Sequence, residues 1–168
     1  LACLQRWREQ CIEWCYERNE DGKFSDQGYL NDWPERFRRV RVIQHKGANV
    51  APWNVGNYRV TSRDGRLWID DQRLLFYHFH RLQQVWPFLY NANLGPSGAR
   101  MGRTLRREVY GVYIKELIRY ASEGPPLRMA RDPEARFGTL KRAVRAVAWV
   151  ALSIVSRSYI VLVNGEPL

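Results

Sequence analysis

Cysteine and histidine are both scarce in this chain, with three of each in 168 residues. Cys3, Cys11 and Cys15 all fall at the start, and an odd number at this spacing excludes a disulfide framework and suits a reducing compartment. No histidine and no fourth thiol stands near them, so they do not read as a metal site. They are expected as small buried apolar groups. Long hydrophobic runs are missing too. The stretch from Ala146 to Val155 holds one polar residue, Ser153, and at ~1.5 Å rise per residue it covers only about half of a ~30 Å hydrocarbon core. Extending it to Val163 brings in Ser156, Arg157 and Ser158, so a membrane-spanning helix is not expected. No N-terminal targeting pattern is present. Acidic residues are the third shortage, 17 against 27 Lys and Arg.

What remains is the composition of a folded domain, 45% apolar and 26% charged, long enough to bury a core without staples. The basic surplus is unevenly placed: residues 97–145 hold 12 Lys and Arg against 5 Asp and Glu, whereas residues 1–96 hold 14 against 11. Such a surplus attracts phosphate, whether on nucleic acid, anionic lipid or a sugar-lipid, and a solvated basic face without a partner is the plain alternative. Seven Trp among many Arg also fit a single-strand nucleic-acid binder. The Trp residues fall in helix stripes and turns, however, and no nucleic-acid-binding motif is present, so that class is set aside.

Leu4, Trp7, Cys11, Trp14 and Cys15 recur at helical spacing and predict a helix from about Leu1 to Arg18, ended by the turn Glu20-Asp21-Gly22. Its apolar face is free to pack on a sheet. Asp26 stands where it can cap a short helix that ends at Trp33-Pro34. Val40 to His45 reads as a strand, and Lys46-Gly47-Ala48-Asn49 as a loop whose small residues allow close approach. Tyr58 to Thr61 and Leu67 to Asp70 read as a hairpin joined at Asp64-Gly65. Asp70-Asp71 is a further turn, and Leu74 to His80 a strand that carries His78 and His80 on one face. Residues 91–102 read as a loop, Thr104 to Ser122 as a helix stopped by Gly124-Pro125-Pro126, and a last helix is expected from Thr139.

Trp14-Cys15-Tyr16, Asp26-Gln27-Gly28-Tyr29-Leu30-Asn31-Asp32-Trp33-Pro34, the loop His45 to Asn54 and Phe76-Tyr77-His78-Phe79-His80 follow one another in order and spacing over roughly residues 1 to 90. Together they resemble the second half of the catalytic domain in bacterial nucleotide-sugar glycosyltransferases of the single-Rossmann-like (GT-A) class, of the polysaccharide-locus type. The resemblance implies a mixed α/β chain, a partial GT-A-like sheet with flanking helices followed by C-terminal helices. It places the remainder of a glycosyltransferase catalytic domain at residues 1–94, with the nucleotide-binding half absent, and a basic helical tail at 95–168. The chain is accordingly expected to be a fragment or a processed product, with the family's metal-binding Asp-x-Asp upstream of Leu1. Asp70-Asp71 has the wrong spacing for that motif.

The function implied is metal-dependent transfer of a sugar from a nucleotide-diphosphate sugar to a polysaccharide or lipid-linked acceptor hydroxyl. By the resemblance, Asp26 and Gln27 lie at the active site beneath the sugar, and His78 ligates a divalent cation, Mn²⁺ or Mg²⁺. Asn49, Trp53 and Asn54 line the acceptor side, His80 lies beside the substrate, and Arg81 stands where relatives carry Gly, so that a long cation meets the diphosphate. From the residues alone, Asp26 reads equally as a helix cap and the two histidines as strand-end hydrogen-bonding groups. A cytoplasmic chain is implied, peripheral on the inner face of the plasma membrane if the last helix lies on the anionic leaflet rather than against the domain. The rival reading is a catalytically inactive remnant or a basic module that binds membrane or nucleic acid.

Overall fold

The computed structural model describes residues 2–123, 148, 150–163 and 166–168. The chain is mixed α/β, with two small antiparallel sheets and several helices, and divides into two compact units, Leu1–Gln44 and His45–Leu168. The division falls after residue 44.

The first unit begins with helix α1, Ala2–Glu13, which stops five residues short of the expected Arg18. Its last turn closes with the Trp14 amide on the Gln10 carbonyl, and the Tyr29 hydroxyl then donates to the Trp14 carbonyl at 2.9 Å. That carbonyl would have received the Arg18 amide in a longer helix; Arg18 bonds Tyr16 instead. Trp7 holds the following segment by donating its indole N–H to the Asp26 carbonyl at 2.9 Å. Residues Gln27–Leu30 form a 3₁₀ turn and Trp33–Arg36 the short helix α2. The Glu20–Lys23 turn forms as expected, with Asp21 and Gly22 at φ 50° and 77°. The cysteine expectation fails: Cys3 and Cys11 are half-buried and Cys15 is exposed. The strand expected at Val40–His45 is also not formed. Val42 and Ile43 are 58% and 74% exposed, because no neighbouring edge among the described residues accepts this stretch.

In the second unit Asp64-Gly65, both at positive φ, join β1 (Val60–Arg63) to β2 (Arg66–Ile69) in the expected register, and β3 (Gln72–Arg73) completes the sheet. The second sheet has the order β4 (Gln83–Trp86), β5 (Leu89–Asn91), β6 (Tyr159–Val163), β7 (Glu166–Pro167). Residues 91–102, expected as a loop, are irregular beyond β5 apart from one 3₁₀ turn, and they are in large part buried. Asn91, fully buried, donates its amide to Ser153 Oγ, and Ser158 Oγ accepts the Leu94 amide, both at 3.0 Å. Gly95 makes this possible, since a Cβ there would sit 2.8 Å from the Leu152 backbone.

The helix expected at 104–122 is present, π-helical over Leu105–Tyr110 and then α3, Gly111–Glu123. It buries Leu105, Val109, Tyr110 and Ile114, while Ile118 of the expected apolar face is exposed. The final helix from Thr139 lies outside the described residues except for 148 and 150–155, which are helical. Ser153 docks that stretch on the core while Val150, Ile154 and Val155 face outward. No helix among the described residues is long and apolar enough to cross a membrane.

The core gathers Val50, Ile69, Leu94, Tyr110 and Ile160 with their neighbours, and the Tyr77 and Tyr110 hydroxyls share a hydrogen bond of 3.0 Å within it. Burial pushes the Tyr77 phenol up to about 12 and the Tyr110 phenol higher still, both from an ordinary 10.0. The folded state therefore holds these protons more tightly than the unfolded chain, so the contribution of the two phenols to stability is constant below pH 10 and is lost as pH rises from 10 towards 12 and beyond. Urea melts across that window are expected to show this loss, and Tyr77→Phe to flatten it. Ser153→Ala, which strips the buried Asn91 amide of its acceptor, is expected to cost about 1–3 kcal/mol in the same assay at neutral pH.

Candidate functional site

The loop from His45 to Asn54 is held against residues 72–78 by contacts that its sequence makes necessary. Gly47 is buried, and a Cβ there would stand 1.9 Å from the Arg73 carbonyl oxygen, so only glycine fits. The Leu75 and Phe76 amides both donate to the Gly47 carbonyl. Lys46 adds a polar tether, its ammonium 3.2 Å from Asp70 and 3.0 Å from Asp71. The Arg59 amide and then Lys46 hold the Asp70 carboxyl below the usual range, and Lys46 does the same for Asp71. The aspartate pair is thus a turn, as expected, with both carboxylates committed. Close approach at Gly47 serves the backbone of Arg73 and not a ligand.

Leu74 to His80 is not the regular strand expected. Its pairing is a single parallel bridge from Tyr77 to Val50, beside the His78 amide bonded to the Val50 carbonyl at 2.7 Å. Its neighbour is a loop rather than a strand, and the chain then tightens, with the His80 amide on the His78 carbonyl. Arg81 follows at φ 54°, a left-handed conformation.

The outcome is a cluster of three rings. Trp53, 47% exposed, meets His78 edge-on at 5.1 Å and His80 at 5.4 Å between ring centroids, and the two imidazoles are 5.7 Å apart. Three of the sequence candidates are therefore brought together on an accessible face. Asn49 lies in the same loop at φ 60° and is exposed. Asn54 is spent internally: its Oδ1 accepts the Ala51 amide at 2.8 Å and its Nδ2 donates to the Asn49 carbonyl at 3.0 Å. These two bonds shape the loop.

Asp26 and Gln27 belong to the first unit. Asp26 stands before the 3₁₀ turn but its side chain caps nothing; the carboxylate receives the Ser25 hydroxyl at 3.0 Å and is half-buried, and Gln27 is exposed. The capping alternative is therefore not what this carboxylate does.

A divalent cation of the hard, oxygen-preferring kind needs carboxylate or phosphate oxygens. Beside His78 stand a second imidazole and an indole, and among the described residues no three His, Cys, Asp or Glu side chains form a cation cage.

Two curated proteins of Bacillus subtilis (strain 168) are similar to part of this chain. Uncharacterized protein YfnD is 47% identical over 76 residues, which is 44% of this chain and 24% of that protein. Uncharacterized protein YfnF is 42% identical over 78 residues, 46% of this chain and 26% of that protein. The chain thus spans about a quarter of the length of the curated relatives it matches. No family model and no solved structure matches it.

The loop seating gives a direct check. Gly47→Ala forces a Cβ into the Arg73 carbonyl and is expected to destabilise the chain by about 3 kcal/mol or more, read by denaturant unfolding.

Proposed function

We propose that this chain serves a metal-dependent glycosyltransferase, which moves a sugar from a nucleotide-diphosphate sugar to the hydroxyl of a polysaccharide or glycolipid acceptor. The observation that carries the reading is the convergence of Trp53, His78 and His80, residues of two separate motif segments, on one accessible face. An exposed indole offers a flat apolar surface to the C–H face of a pyranose, and the imidazoles beside it offer polar atoms to hydroxyl or phosphate oxygen.

His78 would contribute one nitrogen to the cation, Mn²⁺ or Mg²⁺. The ion, when bound, offsets charge on the departing diphosphate and orients it. Trp53 lines the acceptor side, His80 hydrogen-bonds the substrate, and Arg81, exposed and adjacent, meets the diphosphate as a permanent cation. Asn49 and Asn54 set the shape of the acceptor side through the loop. A cytoplasmic location on the inner membrane face is part of the proposal, supported by the basic surplus and the outward Val150, Ile154 and Val155.

The test is a thermal melt of the 168-residue chain with Mn²⁺, with nucleoside diphosphates, and with both. A ligand that binds the folded state raises the apparent Tm, and the expected result is a rise that needs both components and is lost in His78→Ala. Trp53→Ala, on the acceptor side, is expected to leave the metal and diphosphate response in place. A cooperative melt that no combination shifts replaces this reading with that of a non-catalytic remnant or binding module.

A further inference from the structure

Arg103, Arg106, Arg107 and Arg157 line one open pocket of about 470 Å³, over an apolar floor that includes Met101 and Pro167. The four come from two parts of the chain, the start of the π-helical turn and the turn that precedes β6, so their meeting is a product of folding rather than of sequence proximity. Arg106 holds the arrangement together. Its guanidinium donates to the carbonyls of Tyr159 and Leu168 at 3.1 Å and of Arg157 at 3.2 Å, which pins the second segment beneath the helix. Burial, and then the like charge of Arg157, hold the Arg106 guanidinium below its ordinary pKa.

Among the described residues, no hydrogen bond or ion pair engages the other three guanidiniums. Arg6, Arg18, Arg36 and Arg119 each make an ion pair, but no described carboxylate pairs with any of the four pocket arginines. Arg103 and Arg107 are four residues apart on one helix, a like-charge spacing that is unfavourable in isolation. Arg157 is exposed and held at φ 54°. Cations brought together against their mutual repulsion, in a concavity, with planar forks that match oxyanions in pairs, have the chemistry of a phosphate site.

We propose that this pocket binds a phosphate or diphosphate group through Arg103, Arg107 and Arg157, with Arg106 as the positioning residue. Two sources share that chemistry, a soluble phosphate ester or polyphosphate and a phosphorylated lipid headgroup. The proposal does not depend on the function assigned above and survives if the metal and nucleotide response fails.

The experiment uses the whole chain, with inorganic pyrophosphate by calorimetry in one arm. Flotation with phosphatidylcholine vesicles, with and without phosphatidic acid, is the other. The pocket variant is Arg103→Ala/Arg107→Ala/Arg157→Asn, asparagine being tolerant of the left-handed backbone. The control, Arg8→Ala/Arg38→Ala/Arg41→Ala, removes the same charge from exposed positions of the first unit. Expected is a loss of about tenfold or more in the pocket variant and little change in the control, since charge-assisted bidentate bonds are lost only in the former. Response to pyrophosphate alone assigns a soluble ligand, and response to phosphatidic acid alone a headgroup; either supports the site. If the triple variant does not fold, Arg107→Lys, which keeps charge but loses the fork, is expected to weaken binding several-fold. Equal weakening in both triples, an Arg107→Lys chain that binds as the parent does, or no binding of the parent in either arm would overturn the proposal.

Discussion

The second unit depends on a small buried polar network. Asn91 and Ser158 together reach Ser153, Asn93 and Leu94, and the Ser156 and Ser158 hydroxyls are 2.6 Å apart. The Ser158 carbonyl accepts the Ala92 amide and the Ser156 carbonyl the Met101 amide, so the stretch after β5 and the turn before β6 are stitched together along their length. Buried polar groups are costly unless satisfied, and these satisfy one another in one register only. That register places β6 beside β5 and sets Arg157 at the edge of the arginine pocket.

A different device seats the candidate site. Gly47 admits the Arg73 backbone where any side chain would collide, and Asn54 ties the Ala51 and Asn49 backbones into one loop shape. Trp53 is thereby presented outward to His78 and His80, while Tyr77 and Phe79 from the same segment pack on Tyr110. One side of residues 76–80 is thus spent on the core and the other is left to solvent. The aromatic cluster is rigid on its inner side and accessible on its outer side, the arrangement expected of a surface that recognises a ligand without reorganising.

Charge follows the same division between committed and free groups. Lys46, Asp70 and Asp71 neutralise one another at a turn, and their partial exposure makes the pairing a modest contribution to stability. The arginines around Arg106 have no such partners among the described residues. The surplus visible in the composition is therefore not spread as a uniform solvated face, because part of it is gathered in one concavity.

Local signals in the sequence determined the features that depend on local dihedral preference. Asp64-Gly65 and Glu20-Asp21-Gly22 form turns because few other residue types accept positive φ, and the 104–122 periodicity forms a helix because its apolar face recurs at the helical period. The mixed α/β class was legible as well. Pairing across the chain was decided by tertiary structure alone. Val40–His45 has the residues of a strand but no edge to join, whereas Tyr159–Val163, unremarked as a strand, finds β5 some seventy residues away. Whether a β-prone stretch becomes a strand depends on a partner that its own residues do not specify. The same physics left the Arg106 clamp and its pocket unseen in the sequence, since four arginines signify a site only once folding has gathered them without a carboxylate.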